Sequence, residues 1–179
     1  SMNQFIQFVN HLSPLDKIVA DYFLNKLESK ILNKGDCLLK IGEVCRNLYF
    51  IDKGLVKTYF NKEEKEFIMR FFPENSMFTV LDSFLTEKPS TYSILALEQT
   101  TVTYISKTEM DKLCKSYHCV ETFFRKLISL ASVNMMKRIS EMLEENGTER
   151  YNNFVKESNQ LLQRLSLGEL ATYLGITHV

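Results

Sequence analysis

The chain has 179 residues, 45% of them hydrophobic and 25% charged, with 22 Lys plus Arg balanced by 22 Asp plus Glu. That composition fits a globular protein of one domain with an appendage, or of two small domains. It speaks against a complete DNA-contacting surface, which usually carries a basic excess. No apolar run is long enough to span a bilayer and the N-terminus lacks a signal-peptide pattern, so the expected location is cytoplasmic, with no membrane partner. Ser1 ahead of Met2 reads as a cloning remnant.

The first element expected is a helix with Ser13 as its cap, Pro14 at the first position and Asp16 in the first turn. Leu15, Ile18, Val19, Tyr22 and Phe23 then recur at helical spacing. From Ile31 to Ile105 the pattern changes to short apolar runs separated by turn residues, such as Asn33-Lys34-Gly35-Asp36, Asp52-Lys53-Gly54 and Pro73-Glu74-Asn75-Ser76. The runs are Leu48–Ile51, Leu55–Phe60, Phe67–Phe72, Ser93–Leu97 and Val102–Ile105. Many short strands with such turns predict an antiparallel sandwich or barrel.

Ser106 and Glu109 form a capping-box pattern before a short helix. A long periodic stretch follows from about Val120 to Glu145, with Phe124, Leu127, Ile128, Ala131, Met135, Ile139 and Met142 on its apolar side. Asn146-Gly147 reads as its stop, Tyr151–Leu162 as a further helix, and Ser166 to Glu169 as a second capping box opening the last one. The cysteines Cys37, Cys45, Cys114 and Cys119 lack the spacing of a structural zinc site, so they read as buried or idle thiols and no metal or cofactor is expected.

The run Lys34-Gly35-Asp36, Ile41-Gly42-Glu43, Leu48-Tyr49-Phe50-Ile51-Asp52-Lys53-Gly54-Leu55-Val56-Lys57 resembles the opening of the cyclic nucleotide-binding domain, a β jelly roll flanked by helices. Leu170, Ala171, Leu174, Gly175 and Ile176 resemble the first half of a helix-turn-helix, with Gly175 making the turn and Thr177 capping the recognition helix. Roll, long helix and half-motif in that order resemble a Crp/Fnr-type transcription regulator. The resemblance implies an α+β fold: an antiparallel jelly roll flanked by helices, a long dimerisation helix, and the start of a winged helix-turn-helix. The expected division is a sensor over 2–118, the dimer helix over 119–146 and an incomplete DNA-binding domain over 147–179. It also implies a homodimer seamed by Leu127, Ala131, Asn134, Met135, Arg138 and Met142, and DNA as a partner, with Thr177 and His178 where contacts begin.

Ligand-binding members of that family carry Gly-Glu-Leu and, about ten residues on, Arg followed by Ser or Thr. The Arg fork binds the cyclic phosphate and the Glu holds the ribose. Here Thr79-Val80-Leu81 and Ser90-Thr91 fall at those places, and no arginine occurs between Arg70 and Arg125. Lys88 supplies a point charge but not a fork. Tight cyclic AMP binding is therefore not expected. An apolar lining including Phe71, Val80 and Leu81 leaves open either a less polar small-molecule effector or a filled core.

Other chemistries fit poorly. No cysteine precedes Cys37, against an iron–sulfur sensor, and His11, His118 and His178 all lie outside the strands, against a metal oxygenase on a β roll. No catalytic constellation stands out, so an enzyme is not expected. The competing reading is a sensory module that signals by protein contact alone.

Overall fold

A computed structural model describes residues 2–175. Two helices, α1 (Met2–Leu12) and α2 (Lys17–Leu24), precede eight strands. These are β1 (Glu28–Leu32), β2 (Cys37–Leu39), β3 (Asn47–Lys53), β4 (Val56–Lys62), β5 (Lys65–Phe72), β6 (Met77–Phe78), β7 (Ser93–Ala96) and β8 (Thr100–Ser106). Helix α3 (Leu81–Thr86) interrupts the strands between β6 and β7. After β8 come α4 (Lys107–Ser116), α5 (His118–Glu144), α6 (Gly147–Ser158), a 3-10 segment (Asn159–Arg164) and α7 (Leu167–Leu174).

The strands form two four-stranded antiparallel sheets, ordered β1-β8-β3-β6 and β2-β7-β4-β5. Alternation along β3 explains the layering. Tyr49 and Ile51 face inward, where they meet Val56, Phe78, Ile94, Ala96 and Val102 of the roll interior. Leu48 and Phe50 face outward, where they meet Phe5, Val9, Phe23, Leu113 and Phe123 of the helices. The second sheet turns Leu55, Ile68 and Phe71 outward against Phe154, Leu161 and Leu174. Helices thus cover both outer faces of the sandwich, and the expected jelly roll with flanking helices is the observed fold.

Gly54 shows why the turn after β3 takes only glycine. Its φ is +113°, and a Cβ there would lie 2.7 Å from the Thr100 Cα and 2.8 Å from the Gln99 carbonyl. Both obstacles are backbone, so no side chain can yield.

Several boundaries differ from expectation. The N-terminal region holds two helices, not one. Ser13 is buried and donates to the Cys119 carbonyl at 2.9 Å, tying the α1–α2 link to α5, while Asp16 takes the cap position of α2. Asn146 does not stop α5 but caps α6, its side chain accepting from the Glu149 N–H at 2.9 Å. Only the first two thirds of the expected Tyr151–Leu162 helix is α-helical, as the tail of α6; the chain tightens to 3-10 geometry from Asn159. The Ser166 capping box forms in both directions, and Gly175 ends α7 in the left-handed region at φ +68°.

Candidate functional site

The roll interior was the first candidate, and its side chains fill it. The rings of Phe72 and Phe78 stack at 4.3 Å, and Tyr49 lies 5.7 Å from Phe78 and 6.2 Å from Tyr104. Burial among these apolar groups pushes the Tyr49 hydroxyl well above its ordinary range, so it stays neutral. Val80 belongs to this core, and Leu81 is half-buried at the start of α3.

The hydroxyls of the expected cassette are committed to the backbone. Thr79 Oγ1 donates to the Asn47 carbonyl at 2.8 Å. Ser90 Oγ donates to the Tyr92 carbonyl at 2.7 Å and accepts from the Tyr92 N–H at 3.0 Å. Ser90 also exchanges backbone bonds of 2.8 Å with Gly42 and Glu43, which pins the loop after α3 to the β2–β3 connection. Ser83, which sequence reasoning passed over, does as much. It accepts from the Cys45 N–H at 2.9 Å and donates to the Lys88 carbonyl at 2.5 Å. These groups build the loop; they do not converge on an empty centre. Lys88 and Thr91 are exposed.

Phe71 corrects the proposed lining. Its neighbour Phe72 points into the roll, so alternation sends Phe71 out, where its ring meets Tyr173 at 5.1 Å and Phe154 at 6.3 Å. Along β2, the β2–β3 connection and the start of β3 lies a cleft of about 390 Å³ that includes Leu39, Glu43, Arg46 and Tyr49. Arg46 was missed because the cassette was sought on one stretch of sequence, whereas this arginine arrives from the β2–β3 connection.

The most built polar region lies elsewhere, where α5, α6 and α7 meet the edge strand β5. The β4–β5 register pairs Tyr59 with Ile68 and Thr58 with Arg70, so Met69 is the extra residue of a bulge. Arg138, only 2% exposed, reads that bulge. Its Nε donates to the Met69 carbonyl at 2.9 Å and its Nη2 to the Ile68 carbonyl at 2.9 Å and the Tyr173 carbonyl at 2.7 Å. The guanidinium also sits 3.7 Å from the Tyr173 ring centroid. Burial pulls its pKa below the ordinary arginine value. Arg150 donates to the Leu174 carbonyl at 2.7 Å and to the Glu145 carbonyl, so one side chain caps both α7 and α5. Arg164 forks onto Glu74 at 2.8 and 3.0 Å, reaches Glu98 at 2.5 Å and donates to the Gly54 carbonyl at 3.0 Å. That fork holds the Glu74 carboxyl at about 2, well below the usual carboxylate range.

The residues expected at a dimer seam divide accordingly. Leu127 is buried with Val120 and Phe123 in the chain's own core, and Arg138 is buried and turned to the bulge, so neither presents itself to a second copy. Asn134 turns its carbonyl to Arg70. Ala131, Met135 and Met142 remain exposed, but the most exposed apolar side chains of α5 are Val133 at 63%, Met136 at 68% and Leu143 at 81%. Thr177 and His178 lie outside the described residues. Among the described residues no cluster of His, Cys, Asp or Glu could hold a metal ion, and no helix is long and apolar enough to cross a membrane.

Residues 29–117 match the cyclic nucleotide-binding domain family. No curated protein matches the chain in sequence. Among solved structures, the c-di-GMP-responsive global regulator CLP of Xanthomonas campestris is 14% identical, with a TM-score of 0.69 over 90% of this chain and 86% of that one. The catabolite activator protein of Thermus thermophilus is 17% identical, with a TM-score of 0.63 over 95% and 81%. FixK2 of Bradyrhizobium japonicum is 18% identical, with a TM-score of 0.71 over 84% and 78%. At such identities the likeness is one of fold. The chain therefore has the flanked jelly-roll fold of these regulators, and its roll, over residues 29–117, matches the cyclic nucleotide-binding domain.

Proposed function

We propose that this chain is the sensory part of a Crp/Fnr-type transcription regulator, a cytoplasmic homodimer that acts on DNA through a helix-turn-helix whose first helix is α7. The carrying observation is α5. It follows the roll after the short helix α4, runs for 27 residues, and buries Val120, Phe123 and Leu127 in the chain's own core. Beyond them, Ser132, Met136, Ile139 and Leu143 recur at steps of four, three and four, the spacing of a two-helix seam. An exposed apolar stripe of this length is costly unless covered, and a second α5 covers it with matching spacing.

This moves the seam around the helix from the one expected. Ala131, Met135 and Met142 flank it, and Leu127 and Arg138 drop out. Replacing Met136 and Leu143 together by Glu is expected to leave the roll folded and convert a dimer into a monomer in sedimentation velocity. A dimer that survives both substitutions would sink the interface.

The roll is proposed to respond to something other than cyclic AMP. Support comes from the cassette positions, where Val80 stands in place of the Glu and Ser90 in place of the Arg, and where Thr79 and Ser90 spend their hydroxyls on backbone. CLP, which has the same fold, is described as responsive to c-di-GMP. The open cleft beside Arg46 is where a small-molecule effector would reach the roll. Titration calorimetry with cyclic AMP is expected to give no micromolar binding; a micromolar isotherm would overturn this half of the proposal.

A further inference from the structure

At the junction of β5, α5, α6 and α7 lies a cleft of about 170 Å³. Its walls carry four cationic side chains, Arg70, Lys137, Arg138 and Arg150, against two carboxylates, Glu141 and Glu157. Four positive less two negative leaves an excess of two. Only Lys137 is ion-paired within the cleft, with Glu157 at 2.7 Å. Among the described residues none of the three arginines makes a salt bridge. Their partners are neutral carbonyls: Ile68, Met69 and Tyr173 for Arg138, Asn134 for Arg70, and Glu141, Glu145 and Leu174 for Arg150.

Carbonyl dipoles satisfy N–H groups but carry no net charge, so they offset only part of the cost of crowding like charges in a desolvated place. Burial lowers the pKa of Arg138, and Arg70 and Arg150 add to that, against a raising contribution from Glu141. The Arg138 fork is also not used up. Nε and Nη2 make its three bonds, and Nη1 makes none to a described residue, although the side chain lines the cleft. The volume is that of about five to six water molecules, enough for a phosphate group and its nearest waters.

We propose that this cleft is a binding site for a small dianion of the phosphate class, distinct from the roll interior. Arg70 supplies direct charge from β5, Lys137 on α5 turns from Glu157 to the anion, and the free edge of Arg138 closes the floor. Tyr173 and Leu174 form part of the wall, so a bound anion bridges α7 to the edge of the roll. Occupancy therefore strengthens the docking of α7 and couples anion concentration to its position. Neither DNA nor cyclic nucleotide is needed for the binding itself, so this proposal stands or falls separately from the reading above.

The test titrates the chain with inorganic phosphate, pyrophosphate and ribose 5-phosphate at constant ionic strength, with chloride as reference. Binding is read from the melting temperature and from the NMR signal of the Arg138 Nε–H, which burial keeps visible. A saturable response to at least one of the three, absent with chloride, is expected. Lys137→Gln and Arg70→Gln should each weaken it about tenfold, the loss of one charge-assisted contact. Lys137 is more than half exposed, so its variant keeps the fold. The tightest of the three probes separates free phosphate from a phosphate ester as the natural source. A response that chloride reproduces means the arginines serve only as helix and bulge caps, and overturns the proposal. Phosphate binding that both variants leave unchanged places the anion elsewhere and overturns it too.

Discussion

The roll interior and the β5 edge junction are both buried between packed elements, but they solve that problem in opposite ways. Inside the roll, Phe72 stacks on Phe78 and apolar side chains take the space, while hydroxyls such as Ser90 are turned back onto the backbone. At the junction, Arg138 is only 2% exposed, yet it carries a charge. The difference follows from the backbone on offer. The strands central to the two sheets, β8, β3, β7 and β4, are paired on both sides. Strand β5 is at the edge of its sheet and bulged at Met69, so its carbonyls need donors that a neighbouring helix can reach. A guanidinium supplies several in one plane. The lesson is that polarity here follows unsatisfied backbone and not the place where this fold conventionally holds its ligand.

The sharpest way to break that contrast is to empty the roll. Phe78 is 5% exposed and sits between Phe72 and Tyr49. Phe78→Ala should destabilise the chain by about 3–5 kcal/mol in urea unfolding, with the apolar cavity left unfilled. A loss under about 1 kcal/mol would mean the interior is already loose, and the filled-roll half of the comparison would fail.

The junction is tested next by Arg138→Met, which keeps the length of the side chain and removes its donors. The carbonyls of Ile68, Met69 and Tyr173 would lose their partner. About 2–4 kcal/mol is expected, since the carbonyls go unpaired while a costly buried charge is removed at the same time. Amide exchange should quicken most along α7 and β5, the two elements that the arginine joins. If exchange rose evenly over the whole chain, Arg138 would be a general core residue and not a link between them.

The roll was legible in the sequence because its signals are local. Turns at Gly35 and Gly54, and alternation from Leu48 to Ile51, specify strands whatever lies around them. The expected runs fall on β3, β4, β5, β7 and β8, while the short β2 and β6, β1 and the helix α3 were not foreseen; the caps of α4 and α7 were, where Ser106 and Ser166 accept from the N–H groups three residues on. The junction was not legible, because its logic runs between distant segments. Arg138 sits on a helix stripe beside Met135 and Met142, so spacing alone assigned it to an apolar seam. Only the bulge at Met69, set by pairing with β4, reveals what it faces. Phe71 was misplaced for a smaller reason: a bulge changes which residues of a strand point inward. Helix α1 was missed although Phe5, Phe8, Val9 and Leu12 carry its periodicity, since no capping residue announces its start.

The smallest expected effect concerns the second arginine link, and pH reads it. The Glu74 carboxyl, held at about 2 by the Arg164 fork and by the Gly54 N–H, has an ordinary value of 4.5. A carboxylate whose pKa is lower in the folded state stabilises that state above its unfolded pKa. The stabilisation fades as the pH falls from about 4.5 towards 2. Because the pair is partly exposed, screening reduces the contribution to about 1 kcal/mol. Glu74→Gln should therefore lower stability by about that amount at neutral pH, and the gap to the parent protein should close on acidification through this window. The substitution leaves Arg164 with Glu98 as its remaining carboxylate, so the 3-10 segment should loosen without undocking. A gap that stays constant from pH 7 to 3 would show that Glu74 acts through packing and not through its charge.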